Sequence, residues 1–472
     1  MRIIRNMAPI LGLALSLAAG SGAFGQSAPG WRSYAVTNDP SDIVSSPTVA
    51  EWLGKKVDAT GGTSTGQTLT GASIDATSKV NGTAITSPAW LGFQTGYSST
   101  ITVCPAGCNY TTVSSGFGAA LSMAHRLYGH GVVQLEIADG TYTETGQIYT
   151  TDPAGAFVNI IGDTANNANV VINFTGVKGT NAGGFVADNG GIIGLIDGVT
   201  LNAVGAQSAH TATSTSWYPA SYGAGISAEH NAVIALGAHV TVNSFYYSVI
   251  ADDGGMINAR GGGVTGTDAG DVNFMARGNG TIVCTPCTAT RAVDMTDPAV
   301  AVLGGCYDAE RGGSLYIDGS TCTGANVAGV TALSNGKAWS HGVTVTGALR
   351  PQATLGVWTT EGGMIEAQNS TITGMNNGVV AGNGATIECN GCSITGSYGD
   401  GVVADGGLFL GTGTISQGSQ TGYGYHALHQ GTMHLFSVIA NTTGNSLGSF
   451  ETEGAGTGNG GSYTASTVSV GG

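Results

Sequence analysis

The chain has 472 residues, of which 81 are glycine and only 9% are charged. Acidic residues outnumber basic ones 29 to 14, giving a formal net charge of −15. A chain this acidic has no electrostatic footprint for nucleic acid, and glycine at this level signals disorder unless it is periodic. Residues 1–25 read as a secretory signal. Arg2 and Arg5 precede an apolar core from Ile10 to Ala19, and Ala23-Phe-Gly25 supplies the small residues for cleavage before Gln26. That core is too short to span a bilayer, and no other long apolar run follows. The expectation is an exported protein, extracellular, on the cell surface or periplasmic, with no membrane insertion after cleavage. Removing two Arg and no acids leaves 12 basic residues against 29 acidic ones, a net charge of −17.

Residues 26–98 are rich in Ser, Thr, Gly and Asp and lack a regular period, as a polar linker or a stalk does. Thr48–Val57 reads as a short amphipathic helix. The stretch Ala59-Thr-Gly-Gly-Thr-Ser-Thr-Gly resembles stalk segments of phage tail fibres and tailspikes, which would imply a trimer. The linker reading leaves a monomer.

Order is expected from about Ile101. Val113, Phe117, Ala120, Leu121, Ala124 and Leu127 fall at helical spacing over about 115–128. Strand sequence follows at Val132–Ile137, then Asp139-Gly-Thr-Tyr-Thr-Glu144, Phe157–Asp163 and Val170–Phe174. From there a unit of three short apolar runs and three polar corners repeats to the end, anchored at Gly190, Asn231, Gly254, Gly280, Gly312, Gly336, Gly362, Gly384, Gly406 and Gly431. Such a unit cannot bury its own apolar face and must stack on copies of itself. The predicted fold is all-β: a single-stranded right-handed parallel β-helix with three strands per coil over 99–472, its N-terminal end covered by the helix. Two steps are long, Gly190 to Asn231 and Gly280 to Gly312. Extra residues in a solenoid leave as loops on one face, often the binding face.

The run Tyr110-Thr-Thr-Val, helix, Val-Gln-Leu-Glu-Ile-Ala-Asp-Gly-Thr-Tyr-Thr-Glu, Ile-Ile-Gly-Asp163 resembles the opening of pectin methylesterases and of pectin-lyase-like β-helix proteins generally. The later rungs also resemble autotransporter passenger domains. This implies a polysaccharide partner. An esterase of that family is disfavoured: Gly270-Asp-Val-Asn-Phe resembles the segment holding its nucleophilic carboxylate, but Asn273 occupies the nucleophile's position.

Eight cysteines in an exported chain suit four disulfides. Their spacing suggests Cys104–Cys108, Cys284–Cys287, Cys389–Cys392 and the remaining Cys306–Cys322. A redox CxxC or a zinc site from the two CxxC pairs is the competing reading, and the connectivity stays open at this point. Twelve charged residues of both signs collect between Ile250 and Arg311, the mixture that cleavage of a uronan would need. Asp252, Asp253, Asp271 and Arg277 are the catalytic candidates. Asp in exposed turns is the plainer explanation. Trp217, Tyr218 and Tyr222 in the first long step, with Arg291 and Asp294 in the second, are candidates to contact a glycan. No cofactor or metal site is expected, since His426 and His429 would face opposite sides of a strand. Calcium on the acidic rungs stays open. The expected function is a secreted or surface β-helix that engages polysaccharide, binding or structural rather than catalytic. The alternatives are a polysaccharide lyase or glycoside hydrolase and a tailspike-like trimer.

Overall fold

The structure is a computed structural model. It describes residues 79–80, 83–84, 98–127, 131–176, 183–204, 223–259, 261–290, 305–325, 327–347, 354–436, 444–452 and 462–467. The signal, most of the linker and the Thr48–Val57 helix lie outside these residues. Two compact units are distinguished, Met1–Leu91 and Gly92–Gly472. In the first, the described strands Lys79–Val80 and Thr83–Ala84 pair antiparallel.

The second unit is a parallel β-helix built of three sheets. Sheet I has 14 strands, running from Ser98–Val103 and Val132–Ile137 to Ser462–Thr467. Sheet II has 11, from Gly140–Glu144 to Ile415–Gln417, and sheet III has 12, from Ile148–Thr150 to Gly448–Thr452. Every strand pair in the three sheets is parallel, and each strand pairs with its counterpart one coil earlier and one coil later, as in Met256–Ala259 against Thr281–Cys284. Like residues therefore stack. Ile234, Ile257, Ile282 and Leu315 form one interior column of sheet I, all fully buried. Sheet III stacks Ala187, Ala228, Ala251, Ala276 and Ala309 inside. Burial of such columns, at about 25 cal/mol per Å² of apolar surface, is the main favourable term.

The repeating glycine has two separate causes. Most sheet III to sheet I corners turn on two left-handed residues, such as Asp253 (φ 44°) and Gly254 (φ 81°), or Gly278 (φ 57°) and Asn279 (φ 64°), while Gly384 (φ 66°) and Gly406 (φ 70°) serve singly. The following residue passes against the previous coil: a Cβ on Gly280 would lie 2.2 Å from the Ala251 carbonyl oxygen. The sequence anchors Gly254 and Gly362 mark the turn, whereas Gly280, Gly336 and Gly431 mark the close approach. Aligned on the second position, both long steps place their extra residues between sheet II and sheet III, at 204–223 and 291–304.

Helix α1 spans Val113–Leu127, and Val113, Phe117, Ala120 and Ala124 are buried as their spacing predicts. It packs on Ser98–Val103 and Val132–Ile137. Its first amide groups are met by Glu144 of sheet II: Val113 and Ser114 N–H donate to Glu144 Oε1 at 2.6 and 3.3 Å. A buried carboxylate there offsets orphan donors and the helix dipole. The Asp-Gly-Thr-Tyr-Thr-Glu motif is thus structural, and Tyr142 Oη donates to the Ala138 carbonyl at 2.6 Å.

All four expected disulfides form. Cys284–Cys287 and Cys389–Cys392 close sheet I to sheet II corners, while Cys306–Cys322 links sheet III to sheet II. These six sulfur-bearing residues are buried, which leaves no accessible redox pair in either CxxC. Among the described residues, no helix is long and apolar enough to cross a membrane.

Candidate functional site on the outer face of sheet III

Alternation along a strand places the residues flanking the alanine column on the outside. One outward position, the residue directly after each alanine, carries charge on five successive coils: Asp188, Glu229, Asp252, Arg277 and Glu310. All five are half-buried. Two residues earlier, the neighbouring outward row holds Ile250, Met275, Asp308 and Thr331 in register.

Beside these rows lies a small buried apolar cluster. Ala224, Ile250, Val272 and Met275 form a cluster of their own, separate from the solenoid core, with Tyr247 packed against it. The ring of Tyr246 meets that of Tyr247 edge-on at 4.8 Å. At one edge Arg277 donates from Nε to Asp252 Oδ2 at 3.1 Å, and a second guanidinium nitrogen reaches the same oxygen. The hydrogen bond and charge of Asp252 push the Arg277 pKa further up. Burial pushes the Tyr247 hydroxyl up, with Asp271 adding to the effect.

Asp308 is the most perturbed carboxyl of this face. Thr331 Oγ1 donates to its Oδ1, yet burial, followed by the charges of Glu310 and Asp271, raises it to about 7. Arg277 opposes that rise only in part. A carboxyl shifted by burial beside a specific charge pair marks a candidate functional position.

Among the sequence candidates, Asp252 and Arg277 come together as a contact pair, and Asp271 acts on Tyr247 and Asp308. Asp253 stands apart in the left-handed corner, its carboxylate 3.6 Å from His230 Nε2 and well exposed. Trp217, Tyr218, Tyr222, Arg291 and Asp294 lie outside the described residues. Asn273 is buried, and its Oδ1 accepts from Ser248 Oγ at 3.0 Å. It is thus held away from the outer face, so its not being a carboxylate says nothing about chemistry there. Asp308, Glu310 and Glu229 were not singled out from the sequence. The signal that finds Glu229 and Glu310 is position: Glu229, Asp252, Arg277 and Glu310 each lie three residues before the close-approach position of the corner (Ala232, Gly255, Gly280 and Gly313), and Asp308 sits two residues before Glu310.

On the earlier coils, Asp188, Glu229 and His230 bring ligand-type atoms within 4.8 Å of one another. Internal partners already engage them: Asp188 Oδ1 meets His230 Nδ1 at 2.7 Å, and Ser227 Oγ donates to Glu229 at 2.6 Å. Pairs of this kind recur between coils, with His239 on Asp197, His341 on Asp318, His426 on Asp400 and His429 on Asp405. His426 and His429 are thereby tied to different carboxylates.

The sequence matches no protein-family model and no curated protein. Among solved structures, the chain is similar to the A-module of mannuronan C-5 epimerase from Azotobacter vinelandii, at 14% identity and TM-score 0.47, over 76% of this chain and 96% of that one. The catalytic unit of the GH87 alpha-1,3-glucanase from Streptomyces thermodiastaticus gives 13% and 0.43, over 77% and 67%. An alginate lyase from Paenibacillus gives 12% and 0.27, over 75% and 98%. At these values the likenesses carry no statement about activity. The three parallel sheets establish the β-helix that the pectin-lyase-like resemblance implies.

Proposed function

We propose that this is an exported right-handed β-helix protein that engages polysaccharide on the outer face of sheet III, as a binding surface rather than a catalyst. Right-handedness follows the general rule for parallel crossovers, and α1 is taken as the cover of the first coil. One observation carries the reading: a charged row repeated on five successive coils of sheet III, Asp188, Glu229, Asp252, Arg277 and Glu310. A solenoid repeats its surface about every 4.8 Å, so a row of this kind is a linear array suited to a linear polymer. Sugar rings offer apolar C–H faces to the half-buried Tyr247 and hydroxyl donors to the carboxylates. Four buried or half-buried disulfides support export to an oxidising compartment.

Binding is preferred over turnover because of how Arg277 is engaged. Elimination from a uronan needs a cation to offset the substrate carboxylate, and this guanidinium is already compensated by Asp252 at contact distance. The test is a glycan screen on the purified protein, read for retention and for released product. Retention without release, weakened by Arg277→Ala and Tyr247→Ala, is the expected result. Shortened or unsaturated products would instead support the lyase or hydrolase alternative. No retention on any glycan would refute polysaccharide engagement altogether.

A further inference from the structure

Independently of the sheet III reading, we propose that the cleft between α1 and the first strand of sheet I binds an acidic peptide segment in extended conformation, which adds a strand to the sheet. The cleft has a volume of about 740 Å³. The stretch Thr100-Ile-Thr102 lines one side, and α1 presents Ala119, Ser122, Met123 and Arg126 on the other. Those four lie at i, i+3, i+4 and i+7, a single stripe beside the buried face of Phe117, Ala120 and Ala124. The Cys104–Cys108 disulfide ties the loop that brings Asn109 and Tyr110 to the lining. The walls are accessible: Thr100, Thr102, Asn109, Ser122 and Arg126 are exposed, and Tyr110 and Met123 are half-buried.

The backbone of the strand selects the kind of ligand. Ser98–Val103 stands at the end of sheet I and pairs with Val132–Ile137 along its length. On that paired side the Val103 carbonyl accepts from Ala138 N–H at 2.9 Å, while on the opposite side Cys104 N–H donates to the Tyr110 carbonyl at 3.1 Å. Backbone groups alternate sides along a strand, so the Thr102 amide and both polar groups of Thr100 turn toward the side where Tyr110 lies. The bridge between Val103 and Tyr110 is parallel, and one residue therefore already sits where an added strand would continue. Another extended backbone matches such an edge, because it offers amides and carbonyls at the same rise of about 3.3 Å per residue. Charge sets the sign of the partner. Arg126 is the one charged residue among the described residues lining the cleft. The acids nearby are engaged elsewhere: Asp152 meets His125 at 2.5 Å, Glu144 accepts the first amides of α1, and Glu136 accepts from Gln134 at 3.2 Å. A segment with an Asp or Glu gains a charge-assisted contact with Arg126, where a basic one meets like charge.

The experiment titrates the full chain, by calorimetry, with end-blocked hexapeptides of alternating Thr and Val in which one Glu is walked through the positions. At least one should bind, and its Gln counterpart should bind about three- to fivefold more weakly, the range of an exposed ion pair. Arg126→Gln should remove that difference. N-methylation of alternate peptide amides should cost at least about tenfold in one frame and little in the other, since a strand gives each neighbour one side of its backbone. Ser122→Trp fills the cleft from the exposed side of α1 and should abolish binding with an unchanged melting curve. Hydrogen exchange of the Thr100 and Thr102 amides should slow when the peptide is added. Equal binding of both N-methylated frames would overturn strand addition. Equal binding of the Glu and Gln peptides, or a difference that survives Arg126→Gln, would overturn the acidic preference. Binding that survives Ser122→Trp would overturn the assignment to this cleft, and failure of the whole set to bind would overturn the proposal.

Discussion

Replacing Asp308 by Asn isolates the one carboxyl on this face whose titration is moved into the neutral range. Burial raises it from 3.8 to about 7. Below pH 4 the folded and unfolded chains both hold the proton, and the group contributes no pH dependence. Between about pH 4 and 7 the native state keeps a proton that the unfolded chain has released, so stability falls as pH rises, by about 1.4 kcal/mol per unit. Above pH 7 the loss is complete, and a shift of about three units amounts to about 4 kcal/mol. Asn is nearly the same shape and never ionises, and its Oδ1 can still accept from Thr331. The variant should therefore resemble the wild type at pH 4 and exceed it at pH 8.

Titrating groups remote from this face act alike in both proteins, so the difference between the two curves reports Asp308 together with its coupling to Glu310, Asp271 and Arg277. Unfolding entropy of about 2 cal/mol/K per residue, over the unit Gly92–Gly472, gives roughly 0.8 kcal/mol/K. On that scale ~4 kcal/mol corresponds to about 5 °C in Tm, if the rod melts as one unit. Differential scanning calorimetry of both proteins from pH 4 to pH 8 makes the measurement. Parallel Tm curves would refute the argument, since they would mean that Asp308 is solvated or ionised in the native state.

Arg277→Met removes both donors from the half-buried Asp252 and should cost about 1–2 kcal/mol in thermal or denaturant melts, with Arg277→Lys between the two. Glu144→Ala strips the acceptor from two amides at the start of α1 and should cost about 1–3 kcal/mol, detectable as early loss of hydrogen-exchange protection in the helix. Changing Cys306 and Cys322 together to Ala removes a link across 16 residues and should cost about 3 kcal/mol on the loop-entropy account. Asp188 and its hydrogen bond raise the His230 pKa, so this pair adds stability at low pH that is lost as pH rises through the His230 midpoint. By NMR, that midpoint should lie above 6.5 and drop in Asp188→Asn.

The solenoid was legible because its physics is periodic. An apolar run every 22 to 26 residues can be buried only by stacking, and glycine marks the corners of each coil. The helix at 113–127 was legible for the same reason, its apolar stripe being long enough to read. The charged face was legible only as a cluster in sequence. Asp252, Asp271 and Arg277 were found, whereas Asp308 and Glu310 were left among the turn residues. The cause is a one-residue ambiguity at the corner. The left-handed turn position and the close-approach position both favour glycine for different reasons, so anchors drawn from Gly254 and from Gly280 are out of step. In a strand, a slip of one residue exchanges inside for outside, and it hid the row that runs from Asp188 to Glu310. Asn273 was singled out by resemblance to the esterase segment, and its side chain is buried with Ser248.

That exchange bears on how the sheet III face could have arisen without a change of fold. The interior position of sheet III is held to alanine on coil after coil, as at Ala251, Ala276 and Ala309. The residue immediately after it is free of that constraint, because it meets solvent and its neighbours one coil away. Along the later coils the same position holds Leu333, then Thr360 and Gly382, and charge is absent there until Asp405. The backbone of this row does not change along these coils, while its chemistry does. A position that the core leaves unconstrained can thus carry charge on five coils in succession, and its charges find partners one coil away, as Arg277 does in Asp252 and Asp188 in His230.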